Sequence, residues 1–201
     1  GFVQHRHRFI NYDAIILTNL YPEHIESHGS FEKYKAAKLG IFQYVSRCHV
    51  KNILNLKNLR THQSQREGKI FKTCIVNGDS EHAKDFLEFD FAQKVTFGHG
   101  ENITADSAGV SFTVGNETFR APVYGEHNVG NVAAGIAVAK IMKLDDEKIQ
   151  SAVAGLQLAP GRIEFIKEAA AHGFRVIVDY AFEPVAMSAL YKVAALFEPK
   201  R

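Results

Sequence analysis

DAIILTNLYPEHIESHGSFEKYKAAKLGIFQYV, residues Asp13–Val45, holds a strand, a loop and a helix in that order. The run Asp13–Leu17 (DAIIL) is short, largely apolar and rich in Ile and Leu, and it stops at Thr18-Asn19, which predicts a buried strand running into a loop. Ser30 stands at an N-cap, Glu32 falls in the first turn, and Phe31, Tyr34, Ile41, Phe42 and Val45 recur at helical spacing, so a helix follows. The same alternation continues outward. Strands are expected over Lys51–Leu56 and Phe71–Val76, the latter closed by the turn Asn77-Gly78-Asp79, with a short helix over Ser80–Phe89. Between Lys94 and Val123, Val95, Phe97, Val110, Phe112, Val114 and Phe119 recur among Gly98, Gly100, Gly109, Gly115 and Asn116, the spacing of antiparallel hairpins. Asn128 is expected to cap a helix to about Met142, and Asp145 to start another to about Leu156. Phe174–Val178 is expected as an apolar strand ending at Asp179, and Pro184–Phe197 as a closing helix. These elements predict an α/β fold: a mostly parallel sheet flanked by helices on both faces, with a small β-hairpin insertion.

Composition narrows the function classes. The chain has 201 residues, 46% hydrophobic and 23% charged, which places it among globular proteins. Folding a chain of this length buries roughly 70% of its surface, enough for one sizeable core or one large and one small lobe. A formal charge of +2 is too balanced to serve as an electrostatic footprint for nucleic acid. Cys48 and Cys74 have no CxxC spacing and read as two reduced thiols rather than a disulfide or zinc framework. No apolar run approaches the length of a bilayer span and no signal-peptide pattern opens the chain, so the expectation is a cytoplasmic protein without membrane insertion. A start at Gly1 without Met suggests a piece of something longer.

Ligands of open α/β sheets bind beyond the carboxyl ends of the strands, so polar residues just after apolar runs are the first candidates. Thr18 and Asn19, with the following Glu23, His24, Glu26 and His28, form one such place; Asp179 with Tyr180 forms the other. Lys38 lies near the centre of the apolar stripe of the first helix. Either its stem packs and its ammonium snorkels to water, or it serves a site, paired with phosphate or modified into something anionic. His24 is either an exposed loop residue or a ligand for a metal or substrate. Asn128 and Asn131 in EHNVGN suit an N-cap and a first-turn polar position, and equally a binding role. No GxxxxGK[ST] loop is present: Gly130 and Gly135 have the glycine spacing, but Ile136 stands where Lys is required. Nucleotide-dependent chemistry therefore calls for a phosphate loop outside these residues.

VQHRHRF (Val3–Phe9), TNLYPEHIESHGSFEKYKAAKLGIF (Thr18–Phe42), GEHNVGNVAAGIAVAK (Gly125–Lys140), PGRIEFI (Pro160–Ile166) and VDYAFEP (Val178–Pro184) together resemble the Mur ligases, in the family's order and spacing. The motifs are most similar to the branch that adds the third residue of the peptidoglycan stem peptide. The resemblance implies that residues 1–201 are the family's central ATP-binding domain without its phosphate loop, and that residues 184–201 begin the connection to a C-terminal domain. It implies an ATP-dependent ligase that phosphorylates a substrate carboxylate and lets an incoming amino acid displace the phosphate, forming an amide. On this view Lys38, carbamylated, and His24 hold Mg²⁺, an oxygen-seeking cation. Asn128, Asn131, Arg162 and Asp179 bind ATP. Gln4 and Arg6 hold the UDP-MurNAc-dipeptide, with Thr18 and Asn19 close to it. The isolated 201 residues are expected to be inactive. The last motif departs from the family's DYAHTPD: Phe182, Glu183 and Val185 replace its histidine, threonine and second acid. Two other readings stay open: a folylpolyglutamate synthase-like or Mur-like amidotransferase-partner ligase, and a degenerate, non-catalytic binding domain.

Overall fold

A computed structural model describes residues 2–22, 28–52 and 68–199. They fall into two compact units, the first formed by residues 1–99 and 133–145, the second by 100–132 and 146–201.

In the first unit, β1 (Ala14–Leu17) leads to helix α1 (Phe31–Ser46), then to the short strands β2 (Lys51–Asn52) and β3 (Lys69–Ile70), β4 (Thr73–Asn77), helix α2 (Ala83–Leu87) and β5 (Gln93–Phe97). The sheet is parallel with order β1-β4-β5, and pairs Ala14 with Thr73 and Thr73 with Gln93. Every residue of central β4 is buried. Because side chains alternate across a strand, Cys74 and Val76 join one core with Leu17, with Phe42 and Val45 of α1 and with Phe86 of α2, while Ile75 points the other way. That second face is covered by Ala133 and Ala134, in the later part of helix α3 (His127–Ile141). Helices on both faces of a parallel sheet match the expectation. The start of the sheet is held by Lys72, which is 3% exposed and donates to Asn11 Oδ1 at 2.8 Å, to the Tyr12 carbonyl and to Asp13 Oδ1 at 3.2 Å.

Two expectations about this unit are corrected. Within Lys51–Leu56 only Lys51–Asn52 is a described strand; residues 53–56 lie outside the described set. β2 pairs antiparallel with β3 rather than joining the parallel sheet, because β1 pairs directly with β4. Val95 and Phe97 belong to β5 of the parallel sheet and not to a hairpin.

The second unit contains an antiparallel sheet of β6 (Glu101–Asp106), β7 (Gly109–Val114) and β8 (Glu117–Ala121), the expected hairpin insertion. Helix α4 (Asp146–Ala154) packs on β8. Val110, Phe112, Phe119, Ala121, Ile149 and Val153 are buried here, with the Phe112 and Phe119 rings 5.8 Å apart. A two-stranded antiparallel ribbon, β9 (Glu164–Phe165) with β10 (Ile177–Val178), and helix α5 (Pro184–Ala195) complete it. The expected strand Phe174–Val178 is thereby reduced to its last two residues. Arg175 interrupts the apolar run, donating to the Phe197 carbonyl at 3.3 Å, and Phe174 is 56% exposed, so the run builds an open ribbon instead of a buried strand. Among the described residues no helix is long and apolar enough to cross a membrane.

Candidate functional site

Thr18 and Asn19 follow β1 directly and are exposed beyond its carboxyl end. Their loop is tied to the sheet by Asn77, the last residue of β4. Asn77 is 4% exposed; its Nδ2 donates to the Thr18 carbonyl at 2.9 Å and its Oδ1 accepts from the Asp79 N–H at 3.0 Å. Asp79 in turn accepts from the His99 N–H at 2.7 Å. Sequence reasoning passed over both as a turn, although they obey the rule that singled out Thr18: polar residues at the end of an apolar parallel strand.

Ser30 caps α1, its Oγ accepting from the Lys33 N–H at 3.2 Å. Lys38 is half-buried, with Nζ 5.2 Å from the centre of the Tyr34 ring, and the same ring meets His28 at 5.1 Å. A cation over an aromatic face is a favourable resting place for the bare ammonium. Among the described residues no group of three His, Cys, Asp or Glu is arranged to hold a metal ion. His24, with Glu23 and Glu26, lies outside the described residues, so those alone do not make up a magnesium site.

Gln4 and Arg6 are exposed in a run of turns over residues 2–9. This segment docks on the later half of α1. The Phe2 ring lies where a Cβ on Gly40 would come within 2.4 Å of it, and His7 stacks on Phe2 at 4.3 Å and meets Tyr44 edge-on at 4.7 Å. Asn11, just after the segment, donates to the carbonyl of His49, beyond the end of α1, at 3.2 Å. Gln4 and Arg6 thus precede the amino end of β1, whereas Thr18 and Asn19 follow its carboxyl end.

The remaining candidates belong to the second unit. Gly125 has φ +84°, and a Cβ there would lie 2.7 Å from both the His127 ring and Val193, so only glycine permits this approach. Helix α3 begins at His127, which corrects the expected cap: Asn128 lies inside the first turn, and its Nδ2 donates to the Tyr124 carbonyl at 2.8 Å instead of its oxygen accepting a helix N–H. Asn131 donates to Asn128 Oδ1 at 3.0 Å, so the two amides form a chain one turn apart. His127, which the sequence did not single out, is held neutral more firmly than usual: desolvation lowers its pKa against the opposing pull of the Asp179 carboxylate. Beside it opens a cavity of about 760 Å³, lined by Gly125, Glu126, His127, Ser188 and Lys192 among others. Arg162 and Asp179 both adjoin the turn that precedes β9. Asp179 Oδ2 accepts from the Ile163 N–H at 2.9 Å, and the Arg162 guanidinium lies 5.4 Å over the Tyr180 ring. Amide groups, a neutral imidazole and a guanidinium that makes no ion pair among the described residues form a donor set suited to a base and to phosphates.

Comparison with known proteins follows the same lines. The sequence profile of the Mur ligase middle domain matches residues 1–139. The UDP-N-acetylmuramoyl-L-alanyl-D-glutamate--2,6-diaminopimelate ligase of Halalkalibacterium halodurans is 27% identical over 198 residues, covering 93% of this chain and 36% of its own length. The UDP-N-acetylmuramyl-tripeptide synthetase of Borreliella burgdorferi is 30% identical over 195 residues, covering 96% of this chain and 35% of its own. The chain therefore spans little more than a third of the length of these relatives. Among solved structures, MurF from Acinetobacter baumannii shares the fold with a TM-score of 0.69 at 20% identity, over 92% of this chain and 38% of that one. With the profile matching residues 1–139, the chain belongs to the Mur ligase family, through that family's middle domain.

Proposed function

We propose that this chain supplies the nucleotide-binding and metal-binding part of an ATP-dependent ligase of peptidoglycan-precursor synthesis, which adds the third stem residue to UDP-MurNAc-L-Ala-D-Glu. The observation that carries this reading is the profile match over residues 1–139, together with relatives whose names specify that ligation. In the reaction, the terminal carboxylate of the dipeptide attacks the γ-phosphorus and ADP leaves. The amine of the incoming amino acid then attacks the acyl carbon and phosphate leaves.

Arg162 neutralises charge on the nucleotide phosphates, and the Asn128–Asn131 pair offers amide donors and acceptors to the base. Asp179 lies on the nucleotide side. Lys38, as its carbamate, and His24 would hold Mg²⁺, which supplies charge neutralisation during phosphoryl transfer. Gln4, Arg6, Thr18 and Asn19 contact the muramoyl peptide, Arg6 offering its guanidinium fork to a carboxylate. Lacking the GxxxxGK[ST] pattern, the 201 residues by themselves form no amide.

Titration of the chain with ADP tests the nucleotide part: Arg162→Ala is expected to weaken ADP by about ten-fold, the usual weight of one charge-assisted contact. ATP-dependent amide formation by the isolated chain would contradict the inactivity. In a longer protein carrying this domain, turnover with folate but not with the muramoyl dipeptide would move the assignment to the folylpolyglutamate branch. The second reading, a non-catalytic binding domain, is favoured by Phe182, Glu183 and Val185. Mass spectrometry and density at saturating bicarbonate and Mg²⁺ that leave Lys38 unmodified would support it.

A further inference from the structure

The turn that carries Arg162 is closed from two sides by carboxylates. Glu164 Oε2 accepts from the Gly161 N–H at 2.7 Å, and Asp179 Oδ2 accepts from the Ile163 N–H at 2.9 Å. Ile163 has φ +48° and is only 4% exposed. A β-branched residue in the left-handed region persists only where its surroundings over-determine it. The β9–β10 ribbon pairs Ile177 with Phe165 and Val178 with Glu164, and there the backbone ladder stops. The Asp179 side chain supplies the next rung, reaching Ile163 where no strand pairing continues.

Arg162 sits between these two fastened positions, within cation–π range of an aromatic ledge. Its guanidinium carbon lies 5.4 Å from the centre of the Tyr180 ring, and Tyr180 is braced edge-on by Phe182 at 5.7 Å and 80°. Tyr180 and Phe182 are 69% and 64% exposed. No ion pair joins Arg162 to Asp179 among the described residues, so the carboxylate orders the backbone without cancelling the guanidinium charge. An ordered arginine has less rotamer freedom to lose when it takes up a phosphate.

We propose that Asp179 is a positioning residue for the nucleotide: it locks the 160–163 turn so that Arg162 is presented on the Tyr180–Phe182 ledge, and Phe182, standing where the family has histidine, braces that ledge. This rests on the nucleotide reading given above, and it makes the Phe182 departure a compensated change rather than a sign of decay.

The test combines two readouts on the 201-residue chain: the Arg162 Nε–Hε NMR signal without nucleotide, and ADP affinity. In the wild type that signal is expected to be ordered and shifted upfield by the Tyr180 ring. Asp179→Ala is expected to remove the order and the shift and to weaken ADP by about ten-fold. Asp179→Asn keeps an acceptor for the Ile163 N–H and is expected to recover both to within about two-fold. In an Arg162→Ala background Asp179→Ala should cost clearly less affinity than in the wild type, since coupled residues are non-additive. Phe182→Ala should reduce the upfield shift, and Phe182→His should leave most of it. The proposal is overturned if Asp179→Ala leaves the nucleotide-free Arg162 signal unchanged, if Asp179→Asn binds ADP as weakly as Asp179→Ala, or if the two losses add. Should the wild type fail to bind ADP, the nucleotide reading falls, while the Arg162 signal still decides whether Asp179 sets the turn.

Discussion

His7 shows what a single side chain contributes to the placement of the segment over residues 2–9. It is 7% exposed, stacked on Phe2 and set edge-on to Tyr44, and its Nδ1 is buried with no hydrogen-bond partner among the described residues. Desolvation first, then the nearby His5 and Arg8, lower its pKa. The folded state therefore binds fewer protons than the unfolded state just below the ordinary histidine pKa of about 6.5, and stability falls as pH drops through that region. His7→Phe keeps an aromatic ring, removes the orphaned nitrogen and cannot be protonated. Its unfolding midpoint is expected to lie above wild type and to change less between pH 7 and pH 5, as urea titrations at the two pH values would show. A larger acid loss in the variant would refute this account. Only the family resemblance marked Gln4 and Arg6, and nothing in the sequence marked His7 for burial among the chain's ten histidines. Its burial depends on Phe2 and Gly40 meeting across the fold.

At the scale of elements, α1 is stabilised by its cap and by its core face. Ser30→Ala removes the acceptor for the Lys33 N–H and is expected to destabilise by about 1 kcal/mol in chemical denaturation. Phe42, 2% exposed and 4.7 Å from Phe86, is a much larger contributor: Phe42→Ala is expected to cost about 3–5 kcal/mol. At the sheet's opening edge, Lys72→Met deprives Asn11, the Tyr12 carbonyl and Asp13 of a shared buried cation, an expected loss of about 3 kcal/mol. The boundaries of α1 were legible because cap, first-turn acid and apolar spacing agree. Those of β2 and β10 were not, because two-residue strands are defined by their partners: Lys69–Ile70 for one, Glu164–Phe165 for the other. Likewise the asparagine chemistry suggested a cap at Asn128, whereas the positive φ of Gly125 lets the helix start earlier, at His127.

For the whole molecule, the proposed roles divide between the two units, with Lys38, Thr18 and Asn19 in the first and Asn128, Asn131, Arg162 and Asp179 in the second. Two-dimensional NMR is therefore expected to resolve two sets of responses. ADP without metal should shift residues 128, 131, 162 and 179, whereas bicarbonate with Mg²⁺ should shift residues around Lys38. Shifts around Lys38 with ADP alone, and none in the second unit, would contradict that division.

The sequence by itself determined the alternation of strands and helices, the apolar faces of α1 and β4, the polar residues at strand ends and the order of the family motifs, because these depend on neighbours along the chain. Tertiary structure alone decided that Val95 and Phe97 join the parallel sheet, that Phe174–Val178 opens into a ribbon, that Asn77 fastens the Thr18 loop, and that Asp179 bonds the backbone of Ile163. The physical reason is the same in each case: pairing partners, burial and hydrogen-bond acceptors come from residues distant in sequence, and only the folded chain brings them within bonding distance.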